Sequence, residues 1–370
     1  MLSILSPGPG PSKEQRQGWL AGLVAASFFG CSAPLTSLFS ADHPALVLAG
    51  LLYGGAALVL VPLALLEAPR SRQTPLQEQD WPWLTLITLL GGIAGPIALV
   101  HGLALLEPGA SALLLNLEAP FTLLIAVGLG REHLDRSGWA ATVLILGGGM
   151  ALTQGSLVGS SWRGVAWIAL ACLCWGIDNN LCQRLSLRNP LQVASFKAGG
   201  AAIAMLLVAH GQGFAFPPTA TIVALLGIGA VGYGLSIWLD MVALGALGAA
   251  REAVVFATAP FLGALVAVIA LHSPLNPSLL IAAAAMALGT WLLLRCQHSH
   301  SHRHASQHHD HLHRHDPGDP DDHHQHRHDP EDLVGLDRGR GFRHHHPHRH
   351  EAIEHDHPHV SDQHHRHHHN

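Results

Sequence analysis

Charge is what most of this sequence lacks. The tail from His298 holds 8 Arg and 13 acidic residues, which leaves 12 residues of each sign in everything before it. That earlier part is electrically neutral and rich in Leu, Ala, Gly and Val. Such a chain is a polytopic membrane protein and not a soluble globular domain. It carries no basic stripe for a nucleic-acid partner. Cysteine is scarce too. Cys31, Cys172, Cys174, Cys182 and Cys296 sit within or at the ends of apolar spans, and they form neither a disulfide framework nor a paired CxxC zinc motif. The glycine runs Gly54-Gly55, Gly91-Gly92, Gly147-Gly148-Gly149 and Gly199-Gly200 lack Walker or Rossmann spacing. They read as close helix-packing surfaces, so ATP-driven transport by this chain alone is not expected, nor is enzymatic activity.

What is present is a series of apolar spans. After a lead over 1–17 with Pro7, Pro9 and Pro11, expected to be disordered, ten spans follow: 18–39, 45–66, 83–106, 109–130, 137–154, 164–183, 191–210, 219–241, 247–271 and 276–295. Each is close to the ~20 residues a helix needs to cross the hydrocarbon. With the N-terminus cytoplasmic, Lys13, Arg16, Arg70, Arg72, Arg131, Arg136, Arg184, Arg188 and Arg295 fall inside and only Arg163 falls outside. That bias predicts both ends in the cytoplasm.

One stretch occurs twice. Ala119-Pro120-Phe121 in the fourth span aligns with Ala259-Pro260-Phe261 in the ninth. Gly18 through Gly30 likewise resembles Gly164 through Gly176, and Met150-Ala-Leu152 matches Met286-Ala-Leu288. The repeating unit is therefore five spans. Because five is odd, the second copy enters the membrane in the opposite sense. The expected fold is an all-α membrane protein of ten transmembrane helices. They form two inverted five-helix repeats (18–154 and 164–296), followed by a disordered tail over 297–370. Inverted repeats allow one structure to open to either side in turn, and mid-span prolines bend helices where a cavity or neighbour satisfies the freed carbonyl.

With Trp175-Gly-Ile-Asp-Asn-Asn180, Leu106-Glu-Pro-Gly-Ala110 and the two Ala-Pro-Phe motifs in view, the chain resembles the EamA branch of the drug/metabolite transporter superfamily. The resemblance covers residues 18–296 and extends to a subset with a His-rich C-terminus. It implies export or exchange of small metabolites across the cytoplasmic (inner) membrane of a bacterium, commonly ion-coupled. Arg251-Glu252 departs from that pattern, since the group's ninth helix starts with less charge.

Ionisable and polar groups within spans are the site candidates. Glu118 lies mid-span, two residues before Pro120, with Asn116 nearby on a different helical face. It reads either as a coupling-proton or cation site or as a carboxyl bonded to a neighbouring helix. Asp178, Asn179 and Asn180 read as a polar lining of the inward cavity or as interhelical hydrogen bonders. Lys197, two turns into its span, either snorkels to the interface or pairs with Asp178 or a substrate carboxylate. Glu252 and Asp240 lie near helix ends, where solvation is the default. The expected substrate pathway is marked by Asn116, Glu118, Pro120, Asp178, Asn179, Asn180, Lys197, Glu252 and Pro260.

The tail holds 26 of the chain's 31 histidines. His298, His300, His302 and His304, then His344, His345, His346 and His348, then His355, His357 and His359, recur at spacings that can converge on Ni²⁺, Co²⁺, Zn²⁺ or Cu²⁺. No cofactor is required. The expected function is alternating-access export of a small organic metabolite such as an amino acid. The alternative is divalent-metal export with a buffering tail, and behind it a membrane-anchored metal sensor or store. Expected partners are the lipid bilayer, the solute and, where transport is coupled, protons. A homodimer is compatible with this architecture.

Overall fold

The computed structural model describes residues 13–67, 74–129, 136–154, 162–186 and 188–295, together with the backbone of four short strands in the tail. Ten helical segments follow one another. They are α1 (Lys13–Ser40), α2 (Ala45–Glu67), α3 (Glu78–Leu103), α4 (Pro108–Gly128), α5 (Arg136–Gln154), α6 (Trp162–Leu185), α7 (Pro190–Gly211), α8 (Thr219–Leu247), α9 (Arg251–Ala270) and α10 (Pro277–Arg295). Nine of them, α5 excepted, are long and apolar enough to cross a membrane, among the described residues. The segment α5, diluted by Arg136 and three successive glycines, lies along α10, where Gly148 faces Met286 and the Ala282 carbonyl. The observed limits agree with the sequence reading to within about six residues at every span.

Local sequence explains the boundaries. Asn189-Pro190 starts α7. The Asn189 carboxamide oxygen accepts from the N–H groups of Leu191 at 2.9 Å and Gln192 at 3.2 Å, and Pro190 has no N–H to leave unpaired. Asn276-Pro277 starts α10 in the same way, with Leu279 N–H donating at 2.8 Å. Gly248, at φ +82°, turns the chain from α8 into α9, a conformation that a side chain would oppose.

The repeats exchange partners. Helix α1 packs on α8 and α9, and α6 packs on α3 and α4 in the mirrored arrangement. The pairs α2–α7, α4–α9 and α5–α10 join equivalent helices across the pseudo-axis. Irregular turns repeat as well. A π-helical turn interrupts α3 at Thr88–Ala94 and α8 at Ala230–Leu235. A tightened turn at Leu115–Leu117 precedes Ala119-Pro120, and a break after Phe256 precedes Ala259-Pro260. The two prolines thus stand in the first turn after each discontinuity, as expected of bent spans.

Crossings are made by glycine. A Cβ on Gly229 of α8 would lie 2.7 Å from the Leu52 carbonyl carbon of α2 and against its oxygen. Gly229→Ala is therefore expected to push α2 and α8 apart at a cost of about 1–3 kcal/mol. Melting of the detergent-solubilised protein should fall by several degrees. Gly227→Ala, with nothing within 4 Å of its Cβ, should leave it unchanged. Leu20, Leu58, Leu65, Ile203, Leu207, Val223, Ile269 and Ile281 all face outward from the bundle, the surface a bilayer would cover.

In the tail, Ser299–His304 pairs with Ile353–Pro358 and Gln307–His315 with Phe342–His350, each as a two-stranded antiparallel ribbon. The sequence reading expects no regular structure there. Ladder hydrogen bonds need only backbone, and a lone two-stranded ribbon is marginal in water. The metal-ligand assignment from His298 to His359 rests on side chains outside the described residues.

Candidate functional site

The site is built around the carbonyl of Gly91. In the π-helical turn the Gly95 N–H reaches back to the Leu90 carbonyl. The next donor in that register would come from Pro96, which has no N–H, so the Gly91 carbonyl is left over. Two side chains from other helices satisfy it. Tyr53 of α2 donates its hydroxyl at 2.8 Å, and Trp175 of α6 donates Nε1 at 3.0 Å. Three helices are thereby pinned to one atom.

The absence of a side chain at Gly91 makes room for an ion pair. Asp178 of α6 and Lys197 of α7 meet over it, the Lys197 ammonium donating to Asp178 Oδ2. The second Asp178 oxygen accepts weakly from the Cys182 thiol at 3.7 Å. Asp178 is buried, with 4% of its side chain exposed, whereas Lys197 keeps 20%. Lys197 therefore pairs with Asp178 instead of snorkelling. The opposite half has the same geometry without the charge: a Cβ on Gly232 would meet Ser32, at the repeat position of Asp178.

Glu118 extends the cluster. Its Oε1 accepts from Asn179 Nδ2 at 2.8 Å, and it lies within electrostatic reach of Asp178 and Lys197. Asn179 also reaches Thr122 Oγ1 at 3.3 Å. Asn180 ties α6 to α4 by donating to the Thr122 carbonyl at 2.9 Å. The three consecutive polar residues thus divide their work, as their ~100° helical separation requires. Asn116 is directed elsewhere, to the Leu113 carbonyl at 2.9 Å and to Met286 of α10. Pro120 is buried and Pro260 half-buried in the fourth and ninth helices. Glu252 meets Asp240 of α8, side chain to side chain, away from the Asp178 cluster.

A cavity of about 310 Å³ runs beside this cluster between α2, α6, α7 and α8. That lies near the lower end of ligand-pocket volumes, roughly 300–1,000 Å³. Tyr53, Tyr233 and Lys197 line it at one end and Leu185, Ser186 and Arg188 at the other. The rings of Tyr53 and Tyr233 stand 6.0 Å apart. Arg188 is held by Asp80 at 2.6 Å and by Gln77 at 3.1 Å, and the Asn189 N–H donates to the Thr74 carbonyl at 2.9 Å. The connector before α3 is thus tied to the one before α7. Arg188→Gln is expected to release that tie. Amide exchange at Asn189 should then quicken by about tenfold, the equivalent of one charge-assisted hydrogen bond.

Sequence reasoning passed over Tyr53, Tyr233 and the Gly91 carbonyl. One signal was available: the chain has only two tyrosines, both inside apolar spans, where a hydroxyl needs a partner.

Two successive stretches, residues 16–153 and 162–295, each match the model of the EamA-like transporter family. No curated protein matches the chain. Among solved structures, one described as a crystal structure of a protein is similar over 74% of this chain and 94% of its own, with a TM-score of 0.55 and 20% identity. At that identity the likeness concerns the fold alone.

Proposed function

The chain belongs to the EamA-like transporter family, and from that premise we propose that it exports a small organic metabolite, such as an amino acid, by alternating access. As a family member it is a multi-pass membrane transporter of small solutes. The finer reading places it in the cytoplasmic membrane with both termini inside and treats the cavity as its inward-facing state. One observation carries this reading. The cavity between helices of both repeats leads from a connector-lined end to the Asp178–Lys197 pair over Gly91. A charge pair inside a membrane is costly, and function is the usual reason for keeping one. Glu118, whose Oε1 accepts from Asn179 and which lies close to the pair, is the coupling candidate. Proton uptake there would alter the field at Lys197.

The direct experiment is flux into proteoliposomes. The full chain is tested with a panel of amino acids and with Ni²⁺, Co²⁺ and Zn²⁺, with and without a pH gradient. The reading expects organic-solute flux that loses its pH-gradient stimulation in Glu118→Gln. A second reading, export of a divalent metal, is favoured by the 26 tail histidines. Metal flux that persists in a chain ending at residue 297, without organic flux, would establish that reading in place of the first.

A further inference from the structure

We propose that the cavity recognises its solute by a carboxylate that replaces Asp178 on the Lys197 ammonium, with the apolar body of the solute lying against Tyr53, Leu60, Val193, Tyr233 and Ile237. The inference deepens the transporter reading and rests on it. It stands on the sign of the charges that face the cavity. Of the fourteen lining residues, only Lys197 and Arg188 bear a formal charge, and both are cationic. Among the described residues no carboxylate lines the cavity. Asp178 sits behind Lys197, with one oxygen on the ammonium and the other on Cys182. A cationic solute meets no carboxylate among the described lining residues. An anionic solute meets the ammonium first.

The rest of the lining fits an amphipathic solute. Leu60, Val193, Ile237 and two tyrosine rings supply apolar and aromatic surface. The Tyr53 hydroxyl is already committed to Gly91, so it offers no free donor to a neutral polar solute. At the opposite end Arg188 stands in its bond to Asp80, a second positive group on the way in. Asp178 then acts as a resident counter-ion. It keeps Lys197 neutralised when the cavity is empty, and a solute carboxylate must displace it from the ammonium, a competition that sets the affinity and that removing the Asp178 charge relieves. A neutral or cationic analogue of the same shape has no such exchange open to it.

The test uses purified full-length protein in lipid nanodiscs and three probes of equal length: hexanoate, hexanamide and hexylamine. Binding is read by calorimetry and by the melting shift. Hexanoate should bind roughly tenfold or more tightly than the other two, the worth of one charge-assisted contact. Lys197→Arg should keep that preference and Lys197→Gln should erase it. Asp178→Asn, which removes the competitor, should tighten hexanoate severalfold. Because Lys197→Gln leaves a buried carboxylate unpaired, the double variant Asp178→Asn with Lys197→Gln serves as the folded control and should also lack the preference. Equal binding of all three probes, preference for the amine, absence of binding by any of them, or loosening of hexanoate by Asp178→Asn each overturns the proposal. Counterflow in proteoliposomes separates this from the transporter reading. Flux indifferent to the carboxylate sinks the recognition mode alone. Binding of hexanoate with no flux of any solute sinks the transport reading and leaves the recognition mode standing.

Discussion

Lys197→Leu is expected to destabilise the protein by about 3–5 kcal/mol, the usual cost of stranding one member of a buried ion pair. The remaining carboxylate explains the size. The Asp178 side chain is 4% exposed, and its other oxygen accepts only weakly from the Cys182 thiol, whose sulfur is 3.7 Å away and cannot replace an ammonium. The nearby Trp175 and Tyr53 hydrogens are held by the Gly91 carbonyl. Asp178→Leu alone should cost less, since Lys197 keeps a fifth of its side chain exposed to the cavity and can rehydrate there. Removing both groups should recover most of the lost stability. The coupling between the two substitutions, measured by thermal or denaturant unfolding in a fixed detergent, should amount to about 2 kcal/mol or more. Additive effects would show that the pair contributes nothing jointly. Transport should be absent in all three variants, so stability and activity separate in the double variant.

Gly91→Ala should be the most damaging single-methyl change for transport. The new Cβ would lie 2.7 Å from Lys197 Nζ and against the Asp178 carboxylate. Neither group can retreat far, because α6 is fixed by Trp175 on the Gly91 carbonyl and by Asn180 on α4. The pair must shift by a sizeable fraction of an ångström. Misplacement on that scale can lower a rate by about a hundredfold when groups must meet in fixed geometry. Initial flux should fall accordingly while the folded yield stays near normal. Gly199→Ala is the matched control: its Cβ would have one neighbour, Val61 Cγ2 at 3.9 Å, and flux should be unaffected. Equal flux in the two variants would mean that the pair has no part in transport.

Much of this architecture could be read from the chain, for a simple reason. Length and apolarity suffice to define a membrane span, so the ten segments emerged within a few residues, and the repeated Ala-Pro-Phe marked the discontinuities in α4 and α9. The ionisable residues were equally plain, because Glu118, Asp178 and Lys197 stand out against apolar neighbours. Their convergence was not plain. Whether Lys197 turns to the interface or to Asp178 depends on the rotation of α7 against α6, which packing determines and local sequence does not. The π-helical turn was hidden for a related reason. Pro96, five residues after Gly91, removes a donor, but only Tyr53 and Trp175 from distant helices make the resulting carbonyl tolerable. Asn116 is a similar case. Its different helical face from Glu118 was legible in the spacing, but that this face meets Met286 of α10 was not.

The exchange of partners between the repeats has a consequence for synthesis. Helix α1 is made before the other nine helices, but its main packing surfaces, α8 and α9, follow only after six more have been made. Gly30 makes the delay concrete, because it fits against the backbone at Ala259 and Gly263, some 230 residues later in the chain. The nascent first repeat must therefore wait in the bilayer with its closest-fitting glycine faces bare. Any second nascent copy nearby offers the same surfaces, so domain-swapped pairs are the characteristic failure of such a chain. Slowing elongation after Leu185 should raise their yield, and speeding completion of α9 should lower it.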